Sequence, residues 1–192
     1  VLGVDYRYLM VDRKSRIAVV AIHGGGIEGG SGDVADGLAN VEWSLYKFEG
    51  IKPSGNSALH IESTDFDEPS LVWLLRQTPR VVTIHGTSGT SEATFVGGLD
   101  TFMRDRVIKS LAGAGFVASV ATGDISGTEP DNVTNLGTNG AGVQVEITTT
   151  QRAAFFTVNT AAGRPVTRPA LFPSYVAALR SAIDLTSIVQ GF

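Results

Sequence analysis

Two short runs of apolar residues dominate the pattern of this chain. The first is Ile17-Ala18-Val19-Val20-Ala21-Ile22, which leads into His23. The second, Arg80-Val81-Val82-Thr83-Ile84, leads into His85. Both are β-branched, too short for helices and followed by glycine, which predicts strands buried on both faces. A third strand is predicted over Gly142–Ile147, where Glu146 stands between Val145 and Ile147. Shorter strands are expected at Glu42–Phe48, where polar and apolar residues alternate, and at Ala58–Ile61, Ala93–Val96 and Phe116–Val120.

Helical spacing separates these strands. Val34, Leu38 and Val41 define one short helix, with Ser31 or Asp33 as its cap. Asp67 and Pro69 open a second that carries Leu71, Val72, Leu74 and Leu75 and runs to about Gln77. Positions 99, 102, 103, 107, 108 and 111 give a third, closed by Gly113 and Gly115. Pro169–Val189 gives the last, and Asp124–Gly140 is the longest loop. Alternation of strands and helices predicts a single α/β domain over residues 1–192, a mixed and largely parallel sheet flanked by helices. In such sheets ligands bind beyond the carboxyl ends of the strands. His23, His85 and Glu146 all fall at such ends.

Composition narrows the chemistry. The chain has no cysteine, so any metal must sit on His, Asp or Glu. Net charge is −4 with no basic run, which argues against a nucleic-acid partner. No apolar stretch reaches the ~20 residues that span a bilayer, so no membrane role is expected. The chain starts at Val1 without a charged segment leading into an apolar one, and no signal peptide is expected in it.

The run His23-Gly24-Gly25-Gly26-Ile27-Glu28 lets a histidine and a carboxylate curl onto one point. With His85 from a neighbouring strand they make three ligands for one zinc ion, leaving room for water. Glu146 suits the general base that a zinc hydrolase needs; its structural alternative is an ion pair with Arg152. The glycines alone would also suit an anion-binding loop, but no Gly-x-Gly-x-x-Gly or following lysine supports that. Arg152 and Arg104 are candidates for a substrate carboxylate, with Arg104 and Arg106 more simply read as solvated helix charges. His60 is a candidate for the lining of the site, or a structural histidine.

Five blocks together carry a family resemblance: Ile22–Glu28, His60–Asp67, Thr83–Gly86, Val96–Asp100 and Gly142–Glu146. In this order they resemble the poly-γ-glutamate hydrolases of bacteriophages and bacteria. The resemblance implies a zinc carboxypeptidase-like α/β fold, one zinc ion on His23, Glu28 and His85, and Glu146 as general base. It also implies endo-cleavage of γ-amide bonds in poly-γ-glutamate, an anionic polymer outside the cell reached after phage lysis or by export. Two alternatives accompany it. One is a zinc amidase acting on γ-D-glutamyl peptides of the cell wall or on small acyl-amino acids; the other is an inactive binding module on the same fold.

Overall fold

The computed structural model describes residues 1–184. Seven strands are present among them: β1 (Tyr6–Val11), β2 (Ile17–Gly25), β3 (Ser44–Gly50), β4 (Arg80–Thr87), β5 (Thr94–Gly97), β6 (Ala118–Val120) and β7 (Val143–Thr148). They form one sheet in the order β1-β3-β2-β4-β7-β5-β6. The β2/β3, β2/β4, β4/β7 and β5/β6 pairs are parallel, and β1/β3 and β5/β7 antiparallel. The expected mixed, largely parallel sheet is therefore present. Its centre is β2, β4 and β7, the three strands that end in the candidate site.

Strand alternation sends side chains into two cores. Ile17, Val19 and Ala21 of β2, Val82 and Ile84 of β4, and Val143, Val145 and Ile147 of β7 share one. It is covered by α1 (Ser31–Ala39), α3 (Thr101–Gly113) and α5 (Leu171–Ile183), through residues such as Leu38, Val107 and Tyr175. Ala18, Val20, Ile22 and Val81 enter the other, against Leu71, Leu74 and Leu75 of α2 (Pro69–Leu75), with Phe66 and Val133. Each of the valines, leucines, isoleucines and phenylalanines among them contributes about 1.5–3 kcal/mol through burial. The sheet centre is thus anchored from both sides, which lets its strand ends hold polar groups in place.

Several local expectations are corrected. Residues 58–61 are not a strand: Asn56–Leu59 is a single 3-10 turn. Strand β1 and the short helix α4 (Thr149–Ala154) were not expected from the apolar pattern. Gly30, in the left-handed region at φ 101°, caps α1, while Ser31 bonds the carbonyls of His23 and Glu28. Val41 lies beyond that helix and is 77% exposed. Glu68 rather than Asp67 caps α2 by accepting the Leu71 N–H. The last helix ends at Ile183 within the described residues; positions 185–189 of its expected range lie outside them. The long loop is organised by 3-10 turns at Gly123–Ile125 and Val133–Asn135.

Candidate metal centre

Regular alternation along β2 would place His23 with Val19 and Ala21, on the face opposite His85. A bulge prevents this. Ala21 pairs with Lys47 and Gly24 with Glu49, so β2 spends one more residue than β3 between those pairs. Ile22 and His23 therefore occupy the interval that Phe48 spans alone, and His23 shares the face of Ile22. His85 and Glu146, paired across β4 and β7, lie on that same face.

The glycines then turn the chain back. Gly25 has φ 68°, and a Cβ on it would collide with the Gly50 carbonyl. The Glu28 N–H donates to the His23 carbonyl at 2.9 Å, which closes the loop and returns the carboxylate to the imidazole. The glycine run thus serves close packing on β3 as well as flexibility.

Three ligand side chains converge at the strand ends. His23 Nδ1 lies 2.9 Å from Glu28 Oε1 and 3.2 Å from His85 Nδ1, and His85 Nδ1 lies 3.9 Å from Glu28 Oε2. His23 Nε2 donates to the Ile61 carbonyl at 2.8 Å, which directs the Nδ1 lone pair into the cluster. With both Nδ1 atoms unprotonated, acceptors packed this closely repel unless a cation lies among them. Zinc bonds of 2.0–2.2 Å in a tetrahedron require ligand atoms about 3.4 Å apart, and the observed separations bracket that value. The residues fit zinc. His23 also has the hydrogen-bonded second nitrogen usual for a metal ligand, whereas the buried His85 Nε2 finds no partner among the described residues.

His60 stands at the same place. Its Nε2 is 3.6 Å from Glu28 Oε1, and His23, Glu28 and His60 also offer ligand atoms within 4.8 Å of one another. Its ring, however, stacks on His23 with centroids 3.8 Å apart and planes at 23°. Imidazole lone pairs lie in the ring plane, so two stacked rings cannot both aim at one ion. The His23 and His85 rings meet at 72° and can.

The electrostatics follow burial and neighbours. Burial works to raise the Glu28 pKa, but the imidazoles around it, those of His23 and His60 first, outweigh it and hold the carboxyl well below the usual range. Burial pushes His85 down to about 4. Burial, reinforced by Glu28, pushes Glu146 up to about 8, against the pull of Gln144, Arg152 and His60. Gln144 donates to Glu146 Oε1 at 3.0 Å and is itself held by Asn132 and the Ile125 carbonyl.

These groups line a cavity of about 600 Å³. His23, Glu28, His60, His85 and Glu146 all reach it; Arg152 and Arg104 do not. Arg152 bonds backbone carbonyls instead and forms no ion pair with Glu146 among the described residues, and Arg104 pairs with Asp105 on α3. The cavity's further charged residues, Glu62, Asp124 and Glu129, are acidic. Sequence reasoning missed Gln144 and Asn132. Gln144, a polar residue at the same strand parity as Glu146, was the available signal.

A mixed α/β sheet that brings two histidines and two carboxylates to the ends of three adjacent parallel strands belongs to the class of α/β proteins with a histidine–carboxylate centre. Residues 2–178 match the poly-γ-glutamate hydrolase family, and the chain belongs to that family. It is 38% identical over 94% of its length to an SPbeta prophage-derived protein, YoqZ, of Bacillus subtilis strain 168. It is 37% identical over 85% of its length to YndL of the same organism. The chain spans 66% of the length of each of these relatives. Among solved structures, a bacteriophage poly-γ-glutamate hydrolase superposes with a TM-score of 0.91 at 36% identity, over 95% of this chain and 89% of that one. A structure described as zinc-free apo YndL superposes with a TM-score of 0.89 at 35% identity, over 93% and 89%. An N-formylglutamate amidohydrolase from Ralstonia eutropha JMP134 shares the fold at 9% identity, with a TM-score of 0.53 over 93% and 95%.

Proposed function

We propose that this chain is a zinc-dependent hydrolase of γ-glutamyl amide bonds that cuts poly-γ-glutamate within the polymer. The carrying observation is the convergence of His23 Nδ1, His85 Nδ1 and the Glu28 carboxylate. Family membership and the likeness to the phage hydrolase support the substrate, and the zinc-free description of the YndL structure supports the metal. His23, Glu28 and His85 are the ligands in this reading. A zinc ion there supplies Lewis acidity toward the scissile carbonyl and acidifies water.

The chain's own residues supply the rest. Gln144 occupies Oε1 of Glu146, leaving the other oxygen to take the proton from the attacking water and pass it to the leaving amine. The Gly86 N–H fixes Glu28 Oε2, so that carboxylate cannot rotate away. His60, over the His23 ring and half-exposed to the cavity, is placed to contact substrate.

One observation favours a second substrate. The cavity is lined by Glu62, Asp124 and Glu129 and by no lysine or arginine among the described residues. That lining suits a γ-D-glutamyl peptide whose next residue bears an ammonium group better than a run of carboxylates. Purified protein should be assayed for zinc, then incubated with poly-γ-glutamate and with cell-wall peptides and the products sized. Stoichiometric zinc and a rapidly shrinking polymer support the first reading; cleavage confined to the peptides supports the second. Absence of zinc after its addition at neutral pH defeats both, and binding without cleavage leaves an inactive module.

A further inference from the structure

We infer that Arg152 is the positioning residue of the centre, one guanidinium that sets the ends of β4 and β7 and the loop after β2 relative to one another. The inference rests on the zinc reading above. Arg152 lies on α4 and is 7% exposed. Its Nε donates to the Ile147 carbonyl at 3.0 Å, its Nη1 to the Gly29 carbonyl at 2.9 Å, and its Nη2 to the Thr87 carbonyl at 3.5 Å. Ile147 follows Glu146, Gly29 follows Glu28, and Thr87 is two residues beyond His85. Each acceptor thus belongs to a different segment carrying a group of the centre: the end of β7, the loop after β2 and the end of β4.

The geometry explains why arginine stands here. At the ends of parallel strands, backbone carbonyls outrun their neighbours and need donors from elsewhere. A guanidinium presents five N–H groups in a rigid plane, whereas an ammonium is a single point. Gly86 makes room for it: a Cβ there would collide with Arg152 Cζ. From the same residue, the Gly86 N–H donates to Glu28 Oε2 at 2.7 Å. Gly86 therefore lies between guanidinium and carboxylate and transmits the position of one to the other. Arg164 also grips the glycine loop, through the Gly25 carbonyl, but its other bonds go to Asp33 and Asn159, away from β4 and β7.

The test compares parent and Arg152→Lys by zinc competition against a chromophoric chelator, by the visible spectrum of the cobalt-loaded protein, and by thermal unfolding. The expected result is a folded variant that binds zinc about 10–100-fold more weakly, the range for residues supporting metal ligands, with altered cobalt bands. A folded variant with parental zinc affinity and cobalt spectrum overturns the inference. If the variant does not fold, the Arg152 Nε–H resonance of the parent decides. It should exchange slowly, shift on zinc addition and ignore a γ-glutamyl oligomer; rapid exchange, or a shift only with the oligomer, overturns the positioning role. A parent that binds no zinc defeats the zinc reading itself, whereas equal binding by parent and variant defeats only the role of Arg152.

Discussion

His23 Nδ1 and His85 Nδ1 face each other at 3.2 Å across the ends of two parallel strands whose ladder has already stopped, at Val20 and Thr83. No strand hydrogen bond holds the two rings at that separation. The Glu28 carboxylate does so, with Oε1 at His23 and Oε2 on the Gly86 N–H. Replacing His23 by Ala should therefore abolish stoichiometric zinc and reduce hydrolysis to background. Elemental analysis with a polymer-sizing assay checks both. Zinc retained in full by the variant would sink the ligand assignment.

Glu146→Gln keeps the shape of the side chain and its place beside Gln144 but removes the base. Its kcat should fall by about 10²–10⁴-fold while zinc content stays at the parental level. Metal analysis alongside steady-state kinetics separates this from a loss of metal.

Stability of the metal-free protein should depend on pH in a defined way. Glu146 titrates at about 8 in the fold against an ordinary value of 4.5, so the folded state binds the extra proton between those pH values. Its contribution to stability is complete below pH 4.5 and is lost as pH rises through 8. His85, lowered from 6.5 to about 4, acts in the opposite direction: its contribution is lost as pH falls from 6.5 through 4. Between about pH 6.5 and 8 the Glu146 effect stands clear of that of His85. Thermal unfolding of zinc-stripped protein should show Tm falling across that window, with a flatter profile in Glu146→Gln. An unchanged slope in the variant would remove Glu146 as its cause.

The acidic cavity lining predicts an unusual salt response. Glu62, Asp124 and Glu129, on a chain of net charge −4, repel a polyanion at long range. Screening should raise kcat/KM on poly-γ-glutamate as monovalent salt is increased, until the Debye length falls to a few ångströms near about 1 M. Glu62→Gln with Glu129→Gln should weaken the dependence. A rate that falls with salt from the outset would contradict repulsion.

Gly25→Ala should destabilise the fold by about 1–3 kcal/mol, through a left-handed backbone unsuited to alanine and a collision with the Gly50 carbonyl. Chemical denaturation measures it directly. Gly113→Ala makes a control, since a Cβ there meets nothing within 4 Å.

Much of this was legible in the residues. The apolar runs before His23 and His85 and around Glu146 are buried on two faces, and a strand of that kind writes itself as a continuous hydrophobic stretch. The ends of such strands identified His23, Glu28, His85 and Glu146, the polar residues that now meet in one cavity. Strand β1 was not legible because it is a partly exposed edge in which the apolar Leu9 and Val11 blur the alternation that Tyr6, Tyr8 and Met10 set. Helix α4 begins with threonines and is held by the Thr148 hydroxyl cap rather than by an apolar stripe. The engagement of Arg152 was hidden for a different reason: its acceptors are backbone carbonyls, which leave no mark in side-chain identity.

The bulge in β2 makes chain length, rather than residue type, the sensitive variable at this spot. The apolar half of the strand can exchange one aliphatic residue for another and keep its two cores. One added residue in β3 between Lys47 and Glu49 would let the two strands pair evenly, restore an ideal pleat and turn the imidazole toward the layer beneath α1. Such an insertion would preserve every chemically important residue and still dismantle the centre.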